Sequence, residues 1–386
     1  MASLAADDTG FALHSAQLDV HEFDGLWAGV DRLIDRAPGL DALVAHRLHL
    51  LAADRWARLG RSVPEALQAD RRGAAYLSLV VGILLDRIRE ACDGPIVLLK
   101  GPEAAAYYPD PTLRPFRDLD LLVPDAAATQ RALLEAGFEL TGDEELYRDI
   151  HHLLPVVWPE IPFVIEIHQR PKWVAGLPAP AVEELLAAAV PSATGVEGIQ
   201  TLSPAHHALV LAVHAWAHVP LRRLLDIVDV AAVSQGVEDD ELRKLARAWG
   251  LGKLWRTTDA AVQSLLYRGP MPVCMRTWAR NLPLVRERSV LESHLERVLA
   301  SFWALGVRGA VKQMAHATAQ HFRPEPGESW RVKLGRSIRA LRSPLSSVTA
   351  HDRAMEAHGL QAPSKEVSNG NSATTNGRSE LARDRR

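Results

Sequence analysis

The apolar pattern of this chain changes period at Gly94-Pro95, and that change limits the folds open to it. Upstream, Leu26, Val30, Leu33 and Ile34 recur at helical spacing, as do Leu77, Val80, Val81, Leu84 and Ile88. Pro38-Gly39, and Gly60 with Pro64, divide that region into several helices. Downstream, Ile96-Val97-Leu98-Leu99 is a short continuous apolar run, the pattern of a strand covered on both faces. Residues 102–108 suit a short helix opening at Gly101, with a proline in its first turn. Pro109-Asp110-Pro111 makes a turn, and 118–123 is a second strand. An Ala/Leu-rich helix follows from Pro124-Asp125 to Gly137. Two further apolar stretches, 153–158 and 163–167, are separated by Pro159 and Pro162 and read as a hairpin-like pair.

After Pro178 the pattern is helical throughout, over 181–189, 204–219, 221–233, 240–248, 254–267 and 291–320. The expected class is α+β: a mixed-sheet core with N-terminal helices and a C-terminal all-helical lobe. The expected division is an N-terminal helical segment packing on the core (1–92), an α/β core (93–178), a helical acceptor or lid lobe (179–345) and a disordered tail (346–386). The tail is rich in Ser, Asn, Thr, Gly and charge and lacks apolar periodicity.

With 386 residues and 47% apolar content, the chain can bury a large core. A net charge of −3 sets up no global field for nucleic acid or membrane, so any polyanion site must be local. Cys92 and Cys274 are the only cysteines, which excludes a disulfide scaffold or a cysteine zinc site. The first residues carry acids where a leader would carry bases, and the longest apolar stretch, 208–219, is too short to span a bilayer. A soluble, cytoplasmic protein is expected.

The chemistry concentrates in three short segments. Asp118-Leu119-Asp120 begins an apolar run, so strand alternation places both carboxylates on one face, where they repel unless a cation sits between them. Oxygen ligation of that kind suits a hard divalent ion. In Val164-Ile165-Glu166-Ile167-His168 an acid alternates with buried-looking residues, costly unless paired or bound to metal, and His168 shares its face. Should the two strands be neighbours, three carboxylates converge, as two magnesium ions require, with manganese an alternative. Lys100-Gly101 follows the first strand, and Arg114 and Arg117 precede the second; both suit phosphate.

Leu-Leu-Lys-Gly, then Arg-Pro-x-x-Asp-x-Asp-Leu-Leu-Val, then Glu-x-His resembles the uncharacterised bacterial nucleotidyltransferase family of the polymerase-β superfamily. The resemblance covers 96–168 and extends more loosely to Leu202-Ser203-Pro204, His214, His218, Arg223, Leu224 and Asp226. It implies transfer of a nucleoside monophosphate from an NTP to a hydroxyl-bearing acceptor (a small molecule, peptide, protein or tRNA), releasing pyrophosphate. By that resemblance Asp118 and Asp120 are the metal pair and Glu166 the third ligand or base. Lys100, Gly101, Arg114, Arg117, His168 and Arg223 are the phosphate and nucleotide contacts. The superfamily's usual Gly-Ser is replaced here by Lys100-Gly101, so the lysine would meet triphosphate as a point charge. A non-catalytic nucleotide- or partner-binding module, a toxin-like transferase acting on tRNA or protein, and an Asp-x-Asp glycosyltransferase are the alternatives.

Other features carry less. His214 and His218 have zinc-like spacing but no intervening glutamate, so with Trp216 they are expected to pack or line a cleft. His151 and His152, adjacent on an expected strand, would face opposite ways. Arg222-Arg223 opens a helix and could reach a phosphate, with Asp226 orienting an arginine. Arg331, Lys333, Arg336, Arg339 and Arg342 interleave with Trp330, Leu334, Ile338 and Leu341 as a basic amphipathic helix. A solvated face over the helical lobe is its favoured reading, ahead of contact with RNA or an anionic membrane.

Overall fold

The computed structural model describes residues 20–144, 147, 150–322 and 329–341. Residues 1–19 and the tail expected at 346–386 lie outside the described residues. Four helices come first: α1 Val20–Arg36, α2 Leu40–Ala45, α3 His49–Arg58 and α4 Glu65–Ala91. The core then runs β1 Ile96–Leu98, α5 Pro102–Ala105, a 3₁₀ turn Pro111–Leu113, β2 Asp118–Leu122 and α6 Ala126–Glu135. It continues through β3 Glu139–Leu140, β4 Val156–Trp158, β5 Ile161–His168, α7 Val182–Ala187, β6 Ala189–Pro191 and β7 Ile199–Leu202. Helices close the described chain: α8 Pro204–His218, α9 Leu224–Ser234, α10 Asp239–Ala248, α11 Gly252–Leu266, α12 Val273–Thr277, α13 Val290–Leu299, α14 Ser301–Ala304, α15 Val307–Phe322 and α16 Trp330–Leu341.

The α+β class is observed as a seven-stranded mixed sheet in the order β3-β4-β5-β2-β1-β7-β6. β2 with β5 and β1 with β7 are parallel; the other neighbours are antiparallel. The hairpin-like pair is β4–β5. One expectation is corrected: strands do not end at Pro178, because β6 and β7 join the sheet and β7 lies beside β1. Their signal is weak because β6 is three residues with a proline, and β7 has only four. Tertiary pairing makes them strands, not a run of strong β-formers.

Strand alternation sorts the sheet into two faces. Leu119, Leu121, Phe163, Ile165 and Ile167 pack with Val80, Leu84 and Ile88 of α4 and Leu133 of α6. Val97, Leu99, Leu122 and Leu202 face the other way, into a core shared with α8, α9 and α11. The N-terminal helices therefore divide: α4 covers the first face, whereas Leu26, Val30 and Leu33 of α1 join the second core. Helices α8 and α9 are buried over most of their circumference, which explains why their sequences are apolar nearly all round. They form the roof over the polar residues of β2 and β5. No helix among the described residues is long and apolar enough to cross a membrane. α16 is present and touches α13, with Trp330, Val332 and Leu334 exposed.

Close packing of α1 on α11 depends on Gly29, where an added Cβ would lie 2.4 Å from the Leu266 carbonyl oxygen. Gly29→Ala should destabilise by about 1–3 kcal/mol because backbone, not a flexible side chain, is in the way. At Gly25 the added Cβ would make an ordinary 3.5 Å contact with Tyr267. Gly25→Ala should be neutral or stabilising by up to about 1 kcal/mol through helix propensity. Urea unfolding of both variants checks this; equal stabilities would contradict it.

Candidate active site

β2 and β5 are parallel and in register, with Asp118 opposite Val164 and Asp120 opposite Glu166. Since side chains alternate, Asp118, Asp120, Glu166 and His168 all stand on the face roofed by α8 and α9. The end of β1 brings the lysine: the Leu99 N–H donates to the Asp120 carbonyl at 3.0 Å, which fixes the chain just before Lys100. Gly101 then takes φ +63, and an added Cβ would lie 3.3 Å from the Asp118 carbonyl oxygen. Both the backbone conformation and the tight approach to β2 favour glycine there.

Asp120 is the centre of the cluster. Its Oδ1 accepts a 3.0 Å hydrogen bond from His168 Nε2, and its Oδ2 lies 3.1 Å from Lys100 Nζ. His168 Nε2 is also 3.5 Å from Glu166 Oε2, as is His152 Nε2. Lys100 donates to His214 Nε2 at 3.2 Å. Burial works against ionisation of Asp120, but Lys100 and the His168 hydrogen bond hold its carboxyl well below the usual range. Burial, with the charges of Asp120 and Glu166, pushes Asp118 up in spite of Lys100. Burial also opposes the charge on His168, yet its bonds to Asp120 and Glu166 lift it to about 9. The Lys100 ammonium is likewise raised, because Asp120, Asp118 and Glu166 outweigh burial. Burial and Lys100 keep His214 neutral, which suits it as the acceptor of the lysine proton.

A cavity of about 430 Å³ opens beside this cluster. Lys100, Gly101, Asp118 and Glu166 line one side, and His214 and His218 of α8 line the roof. Arg47, Arg222 and Arg223 complete the wall, with Asp226. Arg114 also lines it, but its guanidinium is committed: Nε and NH2 meet Asp229 at 2.8 and 2.7 Å, and NH1 meets the Gly101 carbonyl at 3.2 Å. Tyr108 donates its hydroxyl to the same Asp229 at 2.7 Å. Arg117 is exposed and is not among the cavity's lining residues.

Several residues of the site are not singled out by sequence. His151 and His152 are expected to face opposite ways and not to act together; β-bridge pairing with His168 brings His152 to Glu166. The rings of His151 and His152 lie 4.7 Å apart, since the short segment before β4 is not a regular strand. Asp229 does carry a signal, an acid within Ile227-Val228-Asp229-Val230 that must find a partner when buried. Arg47 carries none, because it follows an apolar helix far upstream. Lys172, in the loop after β5, lies 2.8 Å from the His218 ring nitrogens, and burial and Lys100 push it down to about 8.

The residues fit a divalent cation. Asp120 Oδ2 is buried and, among the described residues, makes no aligned hydrogen bond despite its proximity to Lys100. A carboxylate oxygen of Asp120, one of Glu166 and a ring nitrogen of His168 lie within 4.8 Å of one another; with the imidazole holding its proton, the ligands on offer are the carboxylates, and Asp118 stands alongside on the same strand.

The family described as uncharacterised nucleotidyltransferase matches residues 34–266. The chain belongs to that family. The match begins in α1, takes in the whole sheet and ends with α11, so it includes every residue of the carboxylate cluster and the arginines that line the cavity. A transferase of nucleotidyl groups is thereby indicated at the level of the family. No curated protein and no solved structure matches the chain.

Two tests follow from the buried charges. Asp229→Ala leaves Arg114 buried without its counter-ion and should cost about 3–5 kcal/mol of stability, read by urea unfolding. For His168 the folded value of about 9 lies above its ordinary 6.5, so its contribution is complete below pH 6.5 and lost as pH rises through 9. The stability gap between the wild type and His168→Asn should therefore narrow over that window; a widening gap would contradict the assignment.

Proposed function

We propose that this chain is a magnesium-dependent nucleotidyltransferase that moves an NMP from an NTP to a hydroxyl-bearing acceptor and releases pyrophosphate. The observation that carries this is the in-register pairing of β2 and β5. It puts Asp118, Asp120 and Glu166 on one face of the sheet, with Asp118 and Glu166 lining a cavity that Arg47, Arg222 and Arg223 also line. Asp118, Asp120 and Glu166 would hold magnesium, or manganese in its place, which neutralises phosphate charge and makes the attacking hydroxyl more acidic. The acceptor oxygen bonds to the α-phosphorus while the bond from that phosphorus to the β-phosphate oxygen breaks. Pyrophosphate leaves with the bond's electron pair, and the acceptor proton goes to Glu166.

The chain's own residues do the rest by position and charge. Lys100 meets the triphosphate as a point charge on a turn held by Gly101. His168, protonated at neutral pH, steadies Asp120 and Glu166 in one geometry. Arg114 acts through Asp229 and the Gly101 carbonyl, holding α9 against the phosphate turn. The cavity falls within the volume range of nucleotide-sized sites, about 300–1,000 Å³. The roof of α8 and α9 selects the acceptor, with small molecules, peptides, proteins and tRNA as the classes to test. One observation favours a second reading, a nucleotide-binding module without turnover: Lys100 already neutralises the Asp120 oxygen that a cation would take.

Incubation with magnesium or manganese and each α-labelled NTP, with and without cell extract, separates the two. Transfer of label should fall by about 10²–10³-fold or more in Asp118→Ala and in Asp120→Ala. Tight NTP binding with no transfer and no pyrophosphate release in any extract would contradict the proposal.

A further inference from the structure

The five residues joining α8 to α9, Val219 to Arg223, are held from behind by buried side chains, one of which, Arg288, also lies 3.8 Å from Glu296. Arg288 NH2 donates to the carbonyls of Pro220 and Leu221 at 2.8 and 2.7 Å. Asn281 Nδ2 donates to the Arg222 carbonyl at 2.8 Å, and its Oδ1 accepts from Arg288 Nε at 3.3 Å. His46 takes the far end: its Nδ1 accepts from the Leu224 N–H and its carbonyl from the Leu225 N–H, both at 3.2 Å. Because Nδ1 accepts, the ring proton must sit on Nε2, which donates to the Arg286 carbonyl at 3.0 Å. His46, Asn281 and Arg288 are 2%, 1% and 5% exposed, so these bonds are made inside the protein and not shared with solvent.

The same grip strains the backbone where the arginines stand. Leu221 is held at φ +49, directly before Arg222 and Arg223, and Arg47, directly after His46, at φ +57. Non-glycine residues seldom adopt that conformation, and it persists only when surroundings over-determine it, most often at binding sites. Arg47, Arg222 and Arg223 line the same cavity as Asp118 and Glu166. The first free amides of α9 are spent on His46, so the anion-binding capacity of this wall lies in its side chains and not in the helix terminus.

The cavity is lined by charge of both signs: Lys100, Asp118 and Glu166 from the strands, then Arg47, Arg222 and Arg223, with Asp226. A neutral ligand leaves these charges unmatched. A polyphosphate carrying its cation offers a partner to each sign, the cation to the acids and the distal phosphates to the guanidiniums. We propose that Arg47, Arg222 and Arg223 form a cradle for the terminal phosphates of the nucleotide. His46, Asn281 and Arg288 are its positioning residues. The N-terminal helical segment is thus part of the substrate site, through Arg47, and the chain distinguishes triphosphates from monophosphates at this end. This rests on the nucleotidyl-transfer reading but is tested without an acceptor.

The test is calorimetric titration of the full chain in magnesium with inorganic tripolyphosphate and with a nucleoside monophosphate. Arg47→Gly is the informative variant, because glycine takes a left-handed conformation without a Cβ penalty. Tripolyphosphate affinity should fall about tenfold or more in this variant, the size of one charge-assisted contact, with thermal unfolding read alongside to show that the chain is folded. Arg288→Lys keeps the buried charge but not the grip on two carbonyls. It should weaken tripolyphosphate binding while leaving monophosphate binding within about twofold, since only the distal contacts depend on the loop. Arg243→Ala, on an exposed ion pair of α10, should change neither. Wild-type tripolyphosphate affinity in Arg47→Gly, or no tripolyphosphate binding by the wild type, overturns the cradle. Intact nucleotide transfer alongside unchanged affinity in Arg47→Gly would sink the cradle and leave the transferase. A cradle that binds tripolyphosphate in a chain with no transfer would sink the transferase alone.

Discussion

A single buried carboxylate, Asp120, ties the site together. It is 1% exposed, so its charge costs several kcal/mol unless paired on the spot. The partners come from three different elements: Lys100 at the end of β1, His168 at the end of β5, and His214 of α8 through the lysine. Meeting that electrostatic demand fixes the register of β2 against β5, the turn after β1 and the depth of α8 over the sheet. Each of these in turn sets one wall of the cavity. The site is therefore not laid on a finished fold; its charges are among the reasons the fold closes as it does.

A second buried pair does the same on the helical side. Arg114, with the Tyr108 hydroxyl, binds Asp229 and so joins the loop before β2 to the middle of α9. From there the chain of contacts runs through the start of α9 to His46, and so to the N-terminal helices. Both ends of the sequence thereby reach the cavity, one through Arg47 and the other through Asn281 and Arg288 behind the α8–α9 loop. The helices before the sheet thus bring Arg47 to the cavity.

Much of the carboxylate side was legible in the residues. Asp118, Asp120 and Glu166 alternate with apolar neighbours inside short strands, and period-two geometry alone puts them on the faces where they are found. Lys100-Gly101 was legible as a turn for the same reason. The arginine side was not. Arg47 sits 53 residues before Lys100, on a left-handed backbone that no local pattern announces. His152 reaches Glu166 only through an isolated bridge, and β6 and β7 become strands because β1 has a free edge, not because their sequences demand it. Arg114 looked like a phosphate contact because arginine before an acidic strand suits one. Its partner Asp229 lies 115 residues away, and that pairing is invisible without the fold. What composition and period convey is local; what they miss is long-range pairing of charge.

The account stands or falls on whether the Asp120 cluster holds a divalent ion together with a nucleotide. Electron paramagnetic resonance of manganese, titrated into the chain with and without a non-hydrolysable NTP, measures this directly. A saturable bound-manganese signal should strengthen with the nucleotide and vanish in Asp120→Asn, whose Lys100 and His168 remain in place. Manganese binding that ignores both the nucleotide and the loss of Asp120 would contradict the site described here.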